Sequence, residues 1–178
     1  MRLVPLLGTP SVHGSHLRPL IRQLAQGFGM AGGESCEPIS LWANDRPARI
    51  AEALADADYA LVILAIHEGS ASPMAGLFAD LQLALSRLEH RPALAYVVQS
   101  DVAGPVNSCY LDRYLERTTR EMDCRYLGTT IHGCHQSALA RTGAVDPGLL
   151  QAFRSLGRTL GMRNELPYRI QRQLTPAR

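Results

Sequence analysis

The sequence predicts an α/β protein in which helices cover both faces of a parallel sheet. Short apolar runs alternate with segments of helical periodicity along most of the chain, which is typical of repeated strand–helix–strand units. The run Tyr59–Ile66 is apolar throughout, as expected of a strand that is buried on both faces. The chain has 178 residues, 46% of them hydrophobic, which is enough for one domain with its own core. We expect that domain over residues 1–162, followed by an arginine-rich tail over residues 163–178.

Two strands and two helices are predicted in the first part of the chain. A brief apolar run at residues 3–7 predicts a strand, which stops at the turn residues Gly8-Thr9-Pro10-Ser11. From Ser15 to Phe28 apolar residues recur at spacings of three and four, which predicts an amphipathic helix that the following glycines end. Residues 35–41 predict a weaker strand, and residues 49–57 predict a short helix.

The rest of the chain continues the same alternation. Strands are predicted at residues 59–66, 93–98 and 125–132, and the last of them includes Thr129, Thr130 and Ile131, which favour extended backbone. Helices are predicted at residues 74–88, 110–122 and 147–162. Asp146 is suited to cap the final helix, and Pro147 to occupy its first turn.

Five strands that alternate with five helices predict a specific topology. Right-handed crossovers place the helices over both faces, and the expected result is a three-layer flavodoxin-like fold whose five-stranded parallel sheet has the order 2-1-3-4-5. In such sheets ligands bind beyond the carboxyl ends of the strands, where the strand order reverses. Three loops lie there, at residues 8–16, 65–73 and 99–108, and we expect the functional site among them.

The composition excludes several kinds of chemistry. All 18 basic residues are arginine and the chain has no lysine, so Schiff-base formation, a Walker-type phosphate loop and a lysine general base are excluded. The four cysteines have no paired spacing, and we expect them to be thiols. A hydrolase is disfavoured because no Gly-x-Ser-x-Gly motif occurs.

Charge and hydropathy indicate which partners the chain lacks. Residues 141–178 contain seven arginines, but they are dispersed and have no aromatic residues between them in a nucleic-acid-binding pattern. We therefore expect no nucleic-acid partner. The longest apolar runs are far shorter than the roughly 20 residues of a membrane-spanning helix, and the N-terminus does not resemble a secretory signal. We expect no membrane partner and a cytoplasmic location.

The first loop has the composition of a phosphate site. It lies between a strand and a helix N-terminus, where unpaired backbone N–H groups and the helix dipole attract an anion. Hydroxyl groups and imidazoles add donors, and glycines permit close approach. The candidate phosphate-binding residues are Gly8, Thr9, Ser11, His13, Gly14, Ser15 and His16. The alternative is that Ser15 only caps the helix and that the other residues form a turn.

Glycine-containing motifs follow two of the predicted strands, and a third lies within the last predicted strand. They are Gly8-Thr9-Pro10 with Gly14-Ser15-His16-Leu17, Gly69-Ser70 with Pro73-Met74-Ala75-Gly76-Leu77, and Tyr126-Leu127-Gly128. Spread over roughly residues 1–160, this pattern resembles the NADPH-dependent FMN reductase group of flavodoxin-like proteins. The resemblance is one of pattern and does not include a diagnostic signature.

The resemblance implies a cofactor, a reaction and an assembly. The cofactor is FMN, with its phosphate on the first loop and its ring between the second and third loops. The residues implied along the ring are His67, Glu68, Gly69, Ser70, Gln99 and Ser100. The reaction is hydride transfer from NADPH or NADH to the flavin, and then to a small acceptor such as a quinone, a free flavin or an azo compound. A homodimer is also implied. No catalytic residue is assigned, since solvent can protonate the product.

Two other interpretations remain open beside the flavoenzyme. The three loops contain no aromatic residue and include the acids Glu68 and Asp101, which favours a divergent flavodoxin-like binding module that has lost the flavin and is not an enzyme. His132-Gly133-Cys134-His135 places three potential metal ligands together, but their spacing fits no zinc signature. We therefore predict no metal site.

Overall fold

The computed structural model describes residues 1–8, 11–41, 46–66, 72–100, 105–133 and 146–166. Within these ranges it gives the backbone alone for residues 11–16, 46, 66, 72–75, 100, 105–108 and 132–133. The strands are β1 (Arg2–Gly8), β2 (Glu34–Ser35), β3 (Ile39–Ser40), β4 (Tyr59–Ile66), β5 (Ala93–Ser100) and β6 (Tyr126–Gly133). The helices are α1 (Ser11–Met30), α2 (Arg46–Leu54), α3 (Ser72–Leu85), α4 (Pro105–Glu121) and α5 (Pro147–Arg163).

The strands form one parallel sheet in the order β2-β1-β4-β5-β6, and β3 also pairs with β1. This order confirms the predicted 2-1-3-4-5 topology. The prediction of one continuous second strand at residues 35–41 is wrong, because two short strands share the outer edge of β1. Pro38 lies between them and has no backbone N–H to donate to β1, which explains the interruption.

Several helices begin earlier than their periodicity predicts. The first helix starts at Ser11, not at Ser15, and α4 starts at Pro105, not at residue 110. Likewise α2 and α3 begin and end two or three residues before the predicted bounds. Apolar periodicity marks only the turns that pack on the sheet, whereas the opening turns of α1 and α4 are largely polar. Pro105 suits a first helical position, because the N–H that proline lacks has no partner inside the helix there.

Each face of the sheet has its own apolar core. One core lies under α2, α3 and α4, and the other lies under α1 and α5. The first includes Val4, Leu6, Ile50, Leu54, Val62, Leu64, Leu81, Tyr96, Val98 and Leu115. The second includes Leu3, Leu24, Phe28, Leu61, Ile63, Ala95, Val97, Phe153, Leu156 and Leu160. Because the central strands contribute to both, β4 is apolar at every position.

Helices α1 and α5 touch through their backbones. A Cβ atom on Gly157 would lie 1.9 Å from the carbonyl oxygen of Leu24, and one on Gly27 would lie 1.9 Å from that of Arg154. Both distances are far below any real contact, so only glycine fits at these crossing points. This close approach fixes how α1 lies on the sheet and therefore where its N-terminus is held.

The last described residues pack against β6. The predicted cap is confirmed, since the Asp146 carboxylate accepts a hydrogen bond from the N–H of Gly148 at 3.1 Å. Beyond α5, Leu166 is buried and its N–H donates to the carbonyl of Leu127 at 2.8 Å. Gly128 has a φ of 125° and faces the Leu166 carbonyl. The glycine of the Tyr126-Leu127-Gly128 motif is thus required by this contact. Most of the predicted tail, residues 167–178, lies outside the described residues.

Possible membrane-spanning helices and the state of the cysteines concern only the part of the chain that the structure describes. In that part no helix is both long enough and apolar enough to cross a membrane. Cys36, Cys109 and Cys124 are free thiols, as expected, while Cys134 lies outside the described residues.

Candidate functional site

The carboxyl edge of the sheet collects the ends of four strands and the starts of the helices that follow them. The register aligns Ile66 of β4 with Ser100 of β5, and Ser100 with Gly133 of β6. Gly8 at the end of β1 pairs with Leu64 of β4. The chain leaves β1 toward the β2 side and leaves β4 toward the β5 side, so the strand order reverses between β1 and β4. This reversal is the place where ligands bind in open parallel sheets.

The N-terminus of α1 lies at this reversal and suits an anion. The helix begins at Ser11, three positions after the last residue of β1. Its first turn has the sequence Ser-Val-His-Gly and contains no acidic residue, and the first turns of α3 and α4 contain none either. The first four N–H groups of a helix have no partner within it, and the dipole makes that end positive. A phosphate group therefore fits here on both hydrogen bonding and charge.

The earlier start of α1 changes the role of the predicted phosphate-binding residues. Ser11 and His13 lie among the first three residues of the helix, whose backbone N–H groups have no partner within it, whereas Gly14 is the fourth residue, where the helical ladder begins. Ser15 and His16 lie beyond the first four residues, so their N–H groups belong to the helical ladder, and the alternative in which Ser15 caps this helix is wrong. Thr9 lies outside the described residues. In the described part of this loop, the backbone amides at the start of α1 are therefore the candidate donors.

Gly8 lies in close packing at the point where the strand order reverses. A Cβ atom there would lie 2.7 Å from Cδ2 of Leu64 and 3.0 Å from Cδ2 of Leu77. Leu64 belongs to β4 and Leu77 to α3, so β1, β4 and α3 meet closely at this residue. The glycine lets the chain pass from β1 to α1 directly beside β4.

The predicted ring-binding residues are only partly described. His67, Glu68, Gly69 and Ser70 lie outside the described residues. Gln99 and Ser100 end β5, and the register places Gln99 between Ala65 of β4 and His132 of β6. Because strand positions alternate, Gln99 lies on the same side of the sheet as Ala95 and Val97, which is the side that α1 and α5 cover. The structure therefore brings the end of β5 to the predicted edge, beside β4.

Thr130 is a polar residue near this edge that the sequence analysis treated only as a strand former. It lies on β6 opposite Val97, on the same side of the sheet as Gln99. Thr130 is 1% exposed, and its hydroxyl has no hydrogen-bond partner among the described residues. Its neighbour Thr129 is equally buried but shares a hydrogen bond with the Tyr126 hydroxyl. Nothing in the sequence distinguishes these adjacent threonines.

The two threonines make a matched pair for mutation. We expect Thr130→Val to raise the free energy of unfolding by about 1 kcal/mol, because it removes a buried hydroxyl that has no partner among the described residues. We expect Thr129→Val to lower it by about 1 kcal/mol, because a satisfied hydrogen bond is lost. Urea unfolding of both variants measures the difference. Equal destabilisation by the two changes would show that the Thr130 hydroxyl is satisfied in the native protein.

Other potentially reactive side chains in the described part of the chain are held neutral by burial. Burial raises the pKa of the Cys124 thiol to about 11, so the thiol is neutral and unreactive at ordinary pH. Burial, followed by the hydrogen bond to Asp112, raises the pKa of the Tyr126 hydroxyl. Among the described residues no cluster of histidine, cysteine and acidic side chains could hold a metal ion. Of the predicted histidine–cysteine cluster, Cys134 and His135 lie outside them.

Comparison with known proteins identifies the fold. No family model matches the chain, and no curated protein matches it. Among solved structures, an apo NADH:FMN oxidoreductase is 16% identical with a TM-score of 0.60, over 99% of this chain and 91% of that one. An NAD(P)H:quinone oxidoreductase from Methanothermobacter marburgensis is 14% identical with a TM-score of 0.57, over 93% and 99%. Two-electron reduced flavodoxin from Megasphaera elsdenii is 13% identical with a TM-score of 0.55, over 89% and 98%.

Other similar structures are longer proteins. In two of them this chain covers 35% and 37% of the matched chain. At identities of 10% to 16% these likenesses concern the backbone and not the site. Together with the strand order, they show that the chain has a flavodoxin-like fold.

Proposed function

We propose that this protein is an FMN-dependent oxidoreductase that takes a hydride from NADH or NADPH and passes it to a small acceptor such as a quinone, a free flavin or an azo compound. The observation that carries the proposal is the acid-free N-terminus of α1 at the point where the strand order reverses. A site for flavin mononucleotide in this fold needs a place for the phosphate dianion, and the N-terminus of α1 would supply it.

The phosphate would be held by the first turn of α1. The backbone N–H groups of Ser11 and His13 have no partner within the helix, and no described carboxylate in that turn opposes a dianion. Gly8 keeps the end of β1 close to β4 and α3, and this packing holds the helix start in place. These residues bind and orient, and they supply no acid or base.

The ring would lie along the ends of β4 and β5. Gln99 and Ser100 are at this edge, and His67, Glu68, Gly69 and Ser70 follow β4 in the sequence. When bound, FMN supplies the hydride chemistry itself, and the protein contributes binding, orientation and exclusion of water. Two of the similar structures are described as oxidoreductases of NADH with FMN and of NAD(P)H with quinone, which supports this direction of electron flow.

Anaerobic reduction tests the proposed reaction. Protein reconstituted with FMN is mixed with NADH or with NADPH, and the visible absorption of the oxidised flavin is followed. We expect one of the two nucleotides to bleach this absorption faster than it bleaches free FMN, and a quinone to restore it. If neither nucleotide reduces bound FMN faster than free FMN, the oxidoreductase proposal fails. If FMN does not bind, the oxidoreductase proposal gives way to the alternative, a flavodoxin-like binding module that has lost the flavin.

A further inference from the structure

A cavity lies beside the middle of α1, where this helix passes β2 at the outer edge of the sheet. Its volume is about 690 Å³, and sites that take small organic molecules have roughly 300–1,000 Å³. Residues 35–38, which join β2 to β3, supply another part of its lining. We call it the α1-flank cavity and define it by Arg18, Ile21, Arg22, Glu37 and Leu150.

Part of the described lining of the cavity is apolar. Ile21 belongs to the core under α1, and Leu7 of β1 and Leu150 of α5 pack against the same core but remain only partly buried. Ala25, one turn beyond Ile21 on α1, also lines the cavity and is half-buried. Apolar side chains at the wall of a cavity favour contact with an apolar ligand group, because both then leave water. The cavity therefore suits a molecule with an apolar body.

Two arginines give the cavity a positive side. Arg18 and Arg22 lie one turn apart on α1, are exposed and line the cavity. Helix α1 contains no carboxylate, and within the described part of the chain neither arginine forms an ion pair. On α4, by contrast, Arg117 and Arg120 each pair with a glutamate four residues away. Like charges at this spacing repel each other, so an anion beside Arg18 and Arg22 would be stabilising.

The charge of the cavity favours a single negative charge on the ligand. Glu37 is the one acidic residue among the described lining residues, and it opposes the two arginines. The sum of these three charges is +1, which matches a carboxylate and not a phosphate dianion. A guanidinium group donates two parallel N–H groups to a carboxylate, so the arginines also suit its shape.

We propose that the α1-flank cavity binds a small monocarboxylate with an apolar body. Arg18 and Arg22 hold the carboxylate, and the apolar lining around Ile21 and Leu150 contacts the body of the ligand. Arg18 lies seven residues beyond Ser11, which is roughly 10 Å along the helix at 1.5 Å per residue. The site is therefore separate from the helix end that is proposed to hold the FMN phosphate, and it does not depend on flavin binding.

Calorimetric titration of the flavin-free full chain with 1-naphthoate tests the proposal. We expect about one molecule to bind per chain with a Kd below about 1 mM. The neutral analogue 1-naphthalenemethanol, which has the same rings, should bind at least about 10-fold more weakly. The double variant Arg18→Gln with Arg22→Gln should weaken naphthoate binding at least about 10-fold. Both side chains are exposed, so the fold should persist, which circular dichroism checks. Arg22→Gln alone is a milder variant should the double variant fail to fold.

Two further variants separate the cavity from a general effect of charge. Arg113→Gln with Arg117→Gln removes two exposed arginines at the same spacing from α4, and naphthoate affinity should then change less than about 2-fold. Glu37→Gln removes the opposing carboxylate and should raise naphthoate affinity about 3-fold.

Four results would overturn the proposal. They are no binding up to about 1 mM naphthoate, equal affinity for the neutral analogue, equal loss of affinity in the α4 variant, and tighter binding of 1-naphthyl phosphate than of naphthoate. Displacement of naphthoate by FMN would also overturn it, because the ligand would then occupy the flavin site. FMN titration of the same protein is a separate measurement, so failure of this site and failure of the proposed function are distinguishable.

Discussion

Replacing Gly157 by alanine is expected to destabilise the described fold strongly. The added Cβ would lie 1.9 Å from the carbonyl oxygen of Leu24, and that atom belongs to helix backbone that cannot rotate away. Helices α1 and α5 must separate along a contact that buries Phe28, Leu156 and Leu160. Such overpacking costs about 3 kcal/mol or more, which corresponds to a fall in Tm of roughly 6–12 °C in a chain of this size.

Gly29 in α1 is the matched control for Gly157. It is also a helical glycine, but a Cβ there would meet nothing within 4 Å. Gly29→Ala should therefore raise stability by up to about 1 kcal/mol through helix propensity alone. Thermal unfolding of both variants separates the stability lost at the α1–α5 contact from the stability gained when any helical glycine is replaced by alanine. A Gly157→Ala protein with the same Tm as the wild type would contradict the α1–α5 packing described above.

Placing an acid at the first residue of α1 is expected to abolish tight FMN binding. Ser11→Asp puts a negative charge beside the helix end that is proposed to hold the phosphate dianion. Repulsion between charges about 4–6 Å apart near a protein surface amounts to a few kcal/mol, so the Kd should rise roughly 100-fold. The free protein should be slightly more stable, by about 0.3–1 kcal/mol, because an acid suits a helix N-terminus. Weaker binding therefore cannot be attributed to unfolding.

Two controls isolate the phosphate in this experiment. Riboflavin has the same ring without the phosphate, so its affinity should be nearly equal for the wild-type protein and for Ser11→Asp. Ser11→Asn is uncharged and should leave FMN affinity within a few-fold of the wild type. Fluorescence titration measures both ligands on all three proteins. Equal loss of riboflavin and FMN binding in Ser11→Asp would count against a phosphate at this helix end.

The fold was largely predictable because hydrophobic periodicity records which face of each element is buried. Residues 59–64 of the run from Tyr59 to Ile66 are buried in the structure, and the position and bounds of the strand are confirmed. The helix starts at Ser11 and Pro105 were missed, because turns that project past the sheet have no apolar periodicity. The interruption at Pro38 could have been predicted, since a proline inside a strand removes a ladder hydrogen bond.

The candidate site was predictable only in its location. In open parallel sheets, ligands bind beyond the carboxyl ends of the strands where the strand order reverses, and topology alone predicts this place. The described strand ends meet there. Individual roles depend on backbone position, which the composition of a loop does not determine: Ser15 reads as a helix cap but lies within α1. The burial of the Thr130 hydroxyl, which has no partner among the described residues, and the packing of Gly128 against Leu166 both depend on contacts between distant segments. No local pattern encodes these contacts.

Titration of the flavin-free, wild-type protein with FMN tests the central claim most directly. The account predicts that flavin fluorescence changes until about one FMN is bound per chain, with a Kd near 1 μM, corresponding to roughly −8 kcal/mol, and that riboflavin binds more weakly. Fluorescence that is unchanged up to about 1 mM FMN, or equal affinity for FMN and riboflavin, would contradict a phosphate site at the N-terminus of α1.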